Sequence, residues 1–437
     1  MSISDKQIAV IGAGKMVKPI IDYFIDTCKY QVILADINLE QPKKILNGRK
    51  LGKAVKWSTD EPESIDNIVK DADIVISMVP KPIHIFVAQA CLKHSKSMLT
   101  TSYEIPELMA LDKEARSKGM LILNEIGEDP GIDHLGTQMI LDKIEAENGQ
   151  LESLHSYGCG LPSFKHNTNP FGYKFSWDPI TFFKAAQTSA AYYINGKRIE
   201  VQGNKLFENY NQIEIKDLGT FETYPNKDCE KYLDYFNLSK DITYYRGLLR
   251  FPGYCDNMNN LATLGLFDSD NKIDFQGITY KQFTESLIKD LGNKNILKSK
   301  NDFINKLEWL GLFDDQDIRI ISGTRLDVLI DLMLKKMLYL PHEQDMIIVH
   351  VEAVADFPGK GKEKRMATMH VEGIPYGDSA MSRAVALPVA IATRLILEGK
   401  IKATGTQTPA NLPQLYKPVL YELAQYNFSF KESKIKY

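Results

Sequence analysis

The sequence predicts an α/β fold, with a doubly wound parallel sheet followed by a second α/β domain that has a mixed, largely antiparallel sheet and a helical insertion. Continuous apolar runs alternate with amphipathic stretches over residues 1–130, which is typical of parallel strands buried on both faces. After residue 130 the apolar positions partly alternate and are rich in β-branched and aromatic residues, which favours antiparallel strands. Between about 256 and 340 the pattern becomes helical.

The first domain is predicted to alternate strands with helices. The apolar runs that predict strands are residues 8–11, 31–35, 73–79, 97–101 and 120–126. The amphipathic stretches that predict helices lie near residues 16–27, 83–94 and 107–118. Strands that alternate with helices form a parallel sheet, and ligands of such sheets bind beyond the carboxyl ends of the strands.

The second domain is predicted from segments with a strand-like pattern. These segments are residues 151–159, 191–202, 211–224 and 346–355. Asn195-Gly196 separates two of the apolar runs and is a strong hairpin signal. The resulting assignment gives this domain residues 131–255 and 341–379, with the helical insertion over 256–340.

The composition is that of an ordinary globular protein, and it excludes several function classes. A net charge of −3 gives no broad attraction to nucleic acid or to anionic membranes. No apolar stretch is expected to span a bilayer. The five cysteines show no C-x-x-C spacing, which favours reduced thiols, and no zinc pattern is present. We therefore expect a cytoplasmic protein without metal, nucleic-acid or membrane partners.

The residues that follow the first strand predict a dinucleotide site. They read Gly12-Ala13-Gly14-Lys15-Met16. Gly12 permits a tight turn, and Gly14 lets the backbone approach a pyrophosphate beside the N-terminus of the next helix. Val17 stands where the Rossmann motif G-x-G-x-x-G has its third glycine, the position that normally allows close packing of helix and strand.

Asp36 ends the second predicted strand, where dinucleotide-binding folds place an acid. Its carboxylate is expected to accept hydrogen bonds from the adenosine ribose hydroxyls. The same charge would repel a 2′-phosphate. The sequence therefore favours NAD over NADP as the cofactor.

Unusual residues follow three other strands at the same predicted edge of the sheet. They are residues 79–82, 100–103 and 125–134, and the last of these runs contains four acids and a histidine. Asp129 precedes a proline at a strand end that faces the expected crevice, which favours a functional role. Tyr103 is a candidate hydroxyl donor at the neighbouring strand end.

Two stretches around Lys174 and Arg250 combine glycine, aromatic rings and cations, and Lys227 adds a cation in a turn. Aromatic–basic stretches can bind single-stranded nucleic acid, but the negative net charge and the short length of each stretch argue against it. Arginine forks bind carboxylates bidentately. A pocket for a small polyanion is therefore the better interpretation, with Arg246 as a further candidate cation.

A set of motifs in a fixed order carries a specific family resemblance. The motifs are Thr100-Thr101-Ser102-Tyr103, residues 124–134, Gly160-Leu161-Pro162, residues 169–177, Tyr224-Pro225-Asn226, residues 245–250 and residues 397–401. With these motifs the chain resembles the saccharopine dehydrogenase family, specifically its L-glutamate-forming branch, over nearly its whole length.

The resemblance implies a Rossmann domain of residues 1–130, to which the chain returns over about 380–437. The implied reaction oxidises the secondary amine of saccharopine to an imine with NAD(P)+, and hydrolysis gives L-glutamate and 2-aminoadipate 6-semialdehyde, a step of lysine metabolism. Asp129 is the candidate catalytic residue that holds the amine or orients the water, with Tyr103 as its partner hydroxyl. His84 is a lesser candidate.

The resemblance also assigns the binding residues, position by position. Substrate contacts are implied for Ser102, Tyr103, Asp129, Leu249 and Arg250, and the predicted substrate site also includes Lys227 and Leu248. Cofactor contacts are implied for Gly14, Lys15, Met78, Thr100, Thr101, Gly127 and Trp177. The predicted cofactor site further includes Gly12, Ala13, Met16, Asp36, Ile37, Val79, Glu128 and Asp129.

The chain departs from the family pattern at several positions. Lys227 replaces an arginine, so the charge stays but the bidentate fork is lost. Leu248 replaces a threonine, which removes a hydroxyl. The family's Cys-Gly-Gly-Leu-Pro reads Gly158-Cys159-Gly160-Leu161-Pro162 here, and alternation along a strand would turn the shifted cysteine to the other face. Asp36-Ile37 stands where NADP-using members carry an arginine, which again favours NAD.

Two other functions remain open from the sequence. A carboxyspermidine or carboxynorspermidine dehydrogenase would act on a more cationic amine and needs an acidic pocket, whereas this chain offers Lys227 and Arg250. A non-catalytic NAD-binding protein would bind the cofactor without turnover. Edge strands of the second sheet also make a homodimer the expected assembly.

Overall fold

The structure of the chain is a computed structural model that describes residues 5–61, 63–290 and 301–436. It divides into two compact units. The first unit comprises Met1–Gly158, Lys231–Ile242 and Ile347–Tyr437. The second unit comprises Cys159–Glu230 and Thr243–Met346.

This division gives the first unit more of the chain than the predicted nucleotide domain of residues 1–130 and about 380–437. One physical reason is the long helix after residue 130, which packs against the helix that begins at Tyr416. The predicted domain boundaries, including 131–255 with 341–379 and the insertion over 256–340, remain predictions.

The first unit contains a seven-stranded sheet in the order β17-β6-β5-β4-β1-β2-β3, in which every pairing is parallel. Its strands are β1 (Gln7–Ile11), β2 (Gln31–Asp36), β3 (Gly52–Lys56), β4 (Ile74–Ser77), β5 (Met98–Thr100), β6 (Leu121–Leu123) and β17 (Gly405–Gln407). The predicted doubly wound parallel sheet is confirmed. β3 and β17 were not predicted, because β3 is a partly exposed edge strand and β17 has three residues.

Both faces of this sheet are buried, which explains why its strands read as continuous apolar runs. On β1, Ile8 and Val10 belong to one hydrophobic core, whereas Ala9 and Ile11 belong to the other. Successive side chains of a strand point to opposite faces, so each run of four apolar residues fills two cores.

Helices of the first unit cover these two faces and the ends of the sheet. They are α1 (Lys18–Asp22), which continues as a π-helix over Tyr23–Cys28, α2 (Glu40–Leu46), α3 (Ser64–Asp71), α4 (His84–His94), α5 (Pro106–Met109), α6 (Asp112–Ser117), α7 (Ile132–Ala146), α9 (Glu230–Tyr235), α14 (Ala380–Leu397) and α15 (Tyr416–Leu423). Most of α9 lies in this unit as part of Lys231–Ile242, although the segments before and after Lys231–Ile242 belong to the second unit.

Helix α14 differs from the sequence expectation about membranes. Its 18 residues are long and apolar enough, by length and composition, to cross a bilayer. The helix is 67% buried within the protein, and Ala384, Leu387 and Ile391 belong to one core of the parallel sheet. Burial against β-strands accounts for the apolar composition on most sides of the helix.

A second group of strands in the first unit follows the order β7-β15-β16-β18. These strands are β7 (Gln150–Pro162), β15 (Asp345–Phe357), β16 (Gly361–Glu372) and β18 (Lys431–Lys436), and most of β7 and β15 lies in this unit. β16 pairs antiparallel with β18, so the tail of the chain forms an edge strand.

In the second unit, β8 (Ala190–Ile194) and β9 (Lys197–Val201) form the hairpin predicted from Asn195-Gly196, and both turn residues have positive φ, at 47° and 77°. β10 (Asn211–Ile215), β11 (Gly219–Pro225) and β12 (Thr243–Arg250) are neighbours, and β8 also pairs with β12. All these pairings are antiparallel, which confirms a largely antiparallel second sheet.

The predicted helical insertion is also present in the second unit. Its helices are α10 (Tyr254–Thr263), α11 (Tyr280–Asp290), α12 (Asn301–Leu310) and α13 (Arg325–Lys336), joined by the short pair β13 (Ile273–Asp274) and β14 (Ser322–Gly323). α8 (Pro179–Ala185) precedes them. The part of the predicted insertion at 291–300 lies outside the described residues.

Candidate active site

The turn after β1 brings its backbone close to the end of β4. Gly12 has a φ of 101°, and a β-carbon added there would lie 2.5 Å from the carbonyl oxygen of Met78. Its N–H donates to the carbonyl of Ala35 over 2.7 Å. An added β-carbon at Gly14 would meet no heavy atom within 4 Å apart from its chain neighbours. Glycine is therefore required at position 12, while the backbone at Gly14 is open to a ligand.

The residues after this turn lie at the start of the helix. Lys15 is exposed, Met16 is half-buried and Val17 is buried in the core. Val17 therefore replaces the third glycine of the motif by packing its side chain into the apolar layer that also contains helix α14. The missing glycine changes the packing of this helix and leaves the turn itself intact.

Asp36, at the end of β2, fixes the neighbouring turns. One carboxylate oxygen accepts the N–H of Ala13 over 2.7 Å, and the other accepts the N–H of Asn38 over 2.9 Å. Ile37 is exposed. Lys56 is the register partner of Asp36 on β3 and carries a cation on the adjacent strand.

The remaining predicted cofactor residues of the first unit lie at the same edge of the sheet. Met78 and Val79 follow β4, Thr100 and Thr101 lie at the end of β5, and Gly127 and Glu128 follow β6. The Thr101 hydroxyl lies 3.9 Å from the sulfur of Met78, and a β-carbon at Gly127 would lie 3.1 Å from that of Thr101. The parallel sheet thus brings these segments together, as their positions at strand ends predict.

The two predicted catalytic residues are hydrogen-bonded to each other. The Tyr103 hydroxyl donates to Oδ1 of Asp129 over 3.0 Å, and both residues are half-buried. Their positions at neighbouring strand ends follow from the sequence, whereas the contact between them is set by the fold. The pair combines a proton acceptor with a hydroxyl that fixes its orientation, and this combination suits acid–base chemistry.

Gly158 on β7 makes room for this pair. A β-carbon added at Gly158 would lie 2.7 Å from Oδ2 of Asp129 and 2.9 Å from its Cβ. Gly158 is the position where the family pattern has a cysteine. Cys159 next to it is buried. Because glycine stands at position 158 and the cysteine stands at position 159, no side chain of residue 158 lies beside the Asp129 carboxylate.

A buried carboxylate lies four residues before Asp129 and was not singled out from the sequence. Glu125 is fully buried and has a φ of 62°, an uncommon conformation for a residue with a side chain. Its Oε1 accepts from Lys231 over 2.7 Å, and its Oε2 accepts from the Tyr232 hydroxyl over 2.9 Å and from His134 Nε2 over 3.1 Å.

Glu104 extends this network on the other side of Lys231. Its Oε1 accepts from the Lys231 ammonium and from the Tyr235 hydroxyl, each over 2.8 Å. Burial alone would raise the pKa of the Glu125 carboxyl. The hydrogen bond from His134 and the charge of Lys231 outweigh burial and lower this pKa to about 2. The network anchors α9 to the segment that carries Asp129.

His84, at the start of α4, contacts two serines. Its Nδ1 lies 2.8 Å from the Ser77 hydroxyl at the end of β4, and its Nε2 lies 2.8 Å from the Ser102 hydroxyl after β5. His84 and Ser77 are fully buried, whereas Ser102 is half-buried. The chain of side chains therefore runs from the core to a predicted substrate residue.

In the second unit, Arg250 lies in a cage of tyrosines. Its guanidinium carbon is 5.5 Å from the ring centres of Tyr173 and Tyr224 and 5.2 Å from that of Tyr254. Nη1 donates to the carbonyl of Leu249 over 2.7 Å, and Nη2 donates to the Tyr224 hydroxyl over 3.1 Å. Among the described residues, the buried Nε of Arg250 and the Tyr254 hydroxyl have no hydrogen-bond partner.

The other predicted substrate residues of this unit have different surroundings. Leu248 is half-buried, whereas Leu249 is fully buried, as expected for adjacent positions on β12. Lys227 is half-buried with a φ of 61°, and its carbonyl accepts the N–H of Ala191 over 3.0 Å. The side chain of Leu249 is therefore part of the core.

Lys174 and Trp177 also lie in the second unit, and each is bonded to a different residue of that unit. Lys174 is buried and pairs with Glu343 over 2.5 Å. The indole N–H of Trp177 donates to the Tyr173 hydroxyl over 3.2 Å. Lys174 is thus committed to an internal ion pair, so Arg250 is the stronger candidate for binding a carboxylate.

Within the described ranges, no group of three or more histidine, cysteine or acidic side chains is arranged to hold a metal ion. The five cysteines are free thiols, four of them buried. The positive features of the first unit are the hydrogen-bonded pair of Tyr103 and Asp129, which suits acid–base chemistry, and the open backbone turn after β1, which suits a dinucleotide.

Comparisons with known proteins identify two family models along the chain. Residues 8–123 match the saccharopine dehydrogenase NADP binding domain, and residues 127–428 match the saccharopine dehydrogenase C-terminal domain. The junction between the two matches falls at the segment that carries Glu125 and Gly127.

Individual relatives match over their full length. The saccharopine dehydrogenase [NADP(+), L-glutamate-forming] of Schizosaccharomyces pombe is 30% identical over 98% of this chain and 99% of its own. The enzyme of the same name from Saccharomyces cerevisiae has the same identity and coverage. A solved structure of apo saccharopine dehydrogenase (L-Glu forming) from Saccharomyces cerevisiae superposes with a TM-score of 0.89 at 30% identity, covering 98% of this chain and 100% of that chain.

The preference for NAD over NADP is wrong. The relatives are named as NADP(+) enzymes, and the family model over residues 8–123 is described as NADP binding. A preference for NAD requires that Asp36 present a free carboxylate to the ribose. In the structure both of its oxygens are bonded to backbone N–H groups, those of Ala13 and Asn38, and Lys56 is its register partner. Asp36 therefore serves the turn and is a poor guide to the cofactor.

Proposed function

The chain belongs to the saccharopine dehydrogenase family and is an NAD(P)-binding oxidoreductase, and on this premise we propose that it oxidises saccharopine with NADP+ and water to L-glutamate and 2-aminoadipate 6-semialdehyde. The observation that carries the proposal is the hydrogen-bonded pair of Tyr103 and Asp129 at the edge of the sheet where the Gly12 turn lies. The full-length similarity to L-glutamate-forming enzymes supports cleavage of the C–N bond on the side that releases L-glutamate.

The first unit has the features that a dinucleotide needs. The cradle at Gly12 admits no side chain, and the backbone at Gly14 is open. The segments that would line the cofactor are those that follow β1, β4, β5 and β6. When bound, the nicotinamide cofactor accepts a hydride; the protein supplies position and proton chemistry.

Asp129 is the residue that we assign to the proton. The secondary amine must be neutral before the adjacent carbon can be oxidised, so a base must take its proton. The Tyr103 hydroxyl donates to Oδ1 of Asp129, and Gly158 has no side chain that would crowd Oδ2, from which an added β-carbon would lie only 2.7 Å away. The same carboxylate is then placed to orient the water that hydrolyses the imine.

Arg250 is the residue that we assign to a substrate carboxylate. Its Nε and the Tyr254 hydroxyl are buried donors without a partner among the described residues, and unpaired buried donors are costly. A carboxylate oxygen would satisfy both. Cation–π contacts with three tyrosine rings hold the guanidinium in place, and its fixed fork favours a carboxylate over a cationic polyamine.

The proposal is tested by following the absorbance of the reduced cofactor. The purified protein is mixed with NADP+ and either saccharopine, carboxynorspermidine or buffer, and NAD+ replaces NADP+ in a parallel series. We expect reduction with saccharopine, with a higher kcat/KM for NADP+. Turnover with carboxynorspermidine alone would show that the substrate is a carboxylated polyamine and not saccharopine. Cofactor binding without any turnover would show that the protein is not a saccharopine dehydrogenase in activity.

Gly158→Ala is expected to lower kcat about tenfold or more, because the added methyl group overlaps the Asp129 carboxylate and displaces it. Steady-state kinetics measure the effect, with Ser153→Ala on the same strand as the control that retains the parental kcat. In a protein that already carries Asp129→Asn, Gly158→Ala should not lower kcat any further. An unchanged kcat in Gly158→Ala would contradict the assigned packing.

Arg250→Lys is expected to raise the KM for saccharopine about 10- to 100-fold while kcat changes little, because lysine keeps the charge and loses the bidentate fork. Arg198→Lys in the same unit, a partly exposed arginine paired with Asp228 and Glu230, is the matched control. A KM for Arg250→Lys within twofold of the parent would remove Arg250 from the substrate site.

A further inference from the structure

Ser77, His84 and Ser102 form a chain of side chains that ends at the predicted substrate site. The two contacts of the imidazole, Nδ1 to Ser77 and Nε2 to Ser102, are both 2.8 Å. Both distances are those of ordinary hydrogen bonds. Ser77 is the last residue of β4, Ser102 follows the end of the adjacent parallel strand β5, and the histidine comes from the helix that connects the two strands.

The imidazole in this chain is neutral. Burial, and to a lesser extent the charge of Lys81, lowers the pKa of His84 to about 4. A neutral imidazole has one N–H donor and one acceptor nitrogen. The two hydrogen bonds can therefore run in only two senses, from Ser77 toward Ser102 or the reverse.

Hydrogen bonds also fix the backbone N–H and the backbone carbonyl of Ser102. Its N–H donates to the Thr100 hydroxyl over 3.2 Å, and its carbonyl accepts the N–H of Glu125 over 3.0 Å. The hydroxyl of Thr100 also lies 3.4 Å from Nε2 of His84, a longer contact than that of Ser102. What remains undetermined at Ser102 is the direction of its own O–H.

We propose that His84 is a positioning residue: its Nε2–H donates to the Ser102 oxygen, and its Nδ1 accepts from the Ser77 hydroxyl. Ser102 then has its single proton available to donate outward. This proposal rests on the proposed function, because the carboxylates of saccharopine accept hydrogen bonds and donate none. His84 acts through Ser102 and does not itself touch the substrate.

The reverse sense would serve the substrate badly. Ser102 would then donate its proton to Nε2 of His84 and present lone pairs to an anion, which is repulsive. A histidine with a merely structural role would also fill the space between β4 and α4 with either tautomer. The tautomer and the coupling to Ser102 therefore separate the two interpretations.

The tautomer is measured without any substrate. Protein labelled with ¹⁵N-histidine is studied by NMR between pH 6 and 9, and the signal of His84 among the eight histidines is assigned from its loss in His84→Asn. We expect a protonated Nε2, an unprotonated Nδ1 and no titration in this range. A protonated Nδ1, or a ring that titrates, overturns the proposal whatever the enzyme's substrate.

Two matched variants then test the direction of action. The amide of His84→Asn lies near the former Nδ1 and can keep Ser77, whereas that of His84→Gln reaches the former Nε2 and can keep Ser102. We expect His84→Asn to raise the KM for saccharopine about tenfold and His84→Gln to restore most of the loss, with kcat nearly unchanged. A structural role predicts equal damage, seen as loss of active protein and of kcat.

A double-mutant cycle with Ser102→Ala closes the test. If His84 acts through Ser102, His84→Asn adds no further increase in KM once Ser102 is alanine. Increases in KM that multiply, to about a hundredfold in the double variant, overturn the proposal. A parent enzyme that fails to turn over saccharopine contradicts the proposed function instead, and the NMR result still decides the tautomer.

Discussion

Asp129→Asn is expected to lower kcat for saccharopine oxidation by at least about a hundredfold, because the amide keeps the shape of the side chain and removes the proton acceptor. The amine nitrogen would then stay protonated, so the adjacent carbon could not lose its hydride, and the water for imine hydrolysis would lose the carboxylate that orients it. Stopped-flow and steady-state absorbance of the reduced cofactor measure the loss. Because the carboxylate is only half-buried, the fold should survive the change.

Tyr103→Phe separates orientation from proton transfer at the same site. It removes the hydroxyl that donates to Oδ1 of Asp129 over 3.0 Å, so we expect about a tenfold loss of kcat, smaller than that of Asp129→Asn. Asp356→Asn, an exposed aspartate on β15, is the control and should behave as the parent. If Asp129→Asn and Tyr103→Phe each stay within a few-fold of the parent, the assigned pair is wrong.

Glu125→Gln is expected to destabilise the protein by about 3–5 kcal/mol, because it removes the buried anion that pairs with Lys231 and contacts His134, and leaves Glu104 as the remaining anion beside Lys231. Glu125 also holds a left-handed backbone conformation in place, so the segment that carries Gly127 and Asp129 should lose order with it. Urea unfolding at pH 7 measures the change in the free energy of unfolding. The exposed Glu40→Gln is the matched control, with an expected change within about 0.5 kcal/mol.

The effect of Glu125 depends on pH in a defined direction. Its pKa is about 2 in the folded protein, compared with about 4.3 for an unfolded glutamate. The carboxylate therefore contributes its full stability above about pH 4.3, and the contribution falls as the pH drops toward 2. The difference between parent and Glu125→Gln should shrink over that range. A difference that stays constant from pH 7 to pH 3 would contradict the lowered pKa.

The sequence predicts the central parallel strands well because their signal is local. Residues 8–11 and 31–35 are continuous apolar runs that fill two cores, and no other arrangement buries both faces as well. The sequence does not predict β17, because a strand of three residues is too short to show a periodic pattern. It pairs with β6 at Leu121–Leu123, far earlier in the chain, and no local signal reveals that pairing. β12 was interpreted as an aromatic–basic stretch because its residues are not purely apolar.

The site shows a similar division between local and distant information. Asp129 and Tyr103 could be placed at neighbouring strand ends, since strand order fixes that edge. The space at Gly158, the ion pair between Glu125 and Lys231 and the contact of His84 with Ser102 are set by tertiary packing, so no local pattern contains them. Asp36 is a case in which a local motif predicts the wrong cofactor. The motif is present, but both oxygens of the carboxylate accept hydrogen bonds from backbone N–H groups, which the sequence does not reveal.

The position of bond cleavage is the central claim, and an isotope measures it directly. Saccharopine that carries deuterium on the carbon destined to become the aldehyde, the ε-carbon of its lysyl part, is incubated with the enzyme and NADP+. We expect deuterium in the reduced cofactor, with L-glutamate and the semialdehyde as products. Reduced cofactor without deuterium, accompanied by lysine and 2-oxoglutarate, would show cleavage on the other side of the nitrogen and contradict the account.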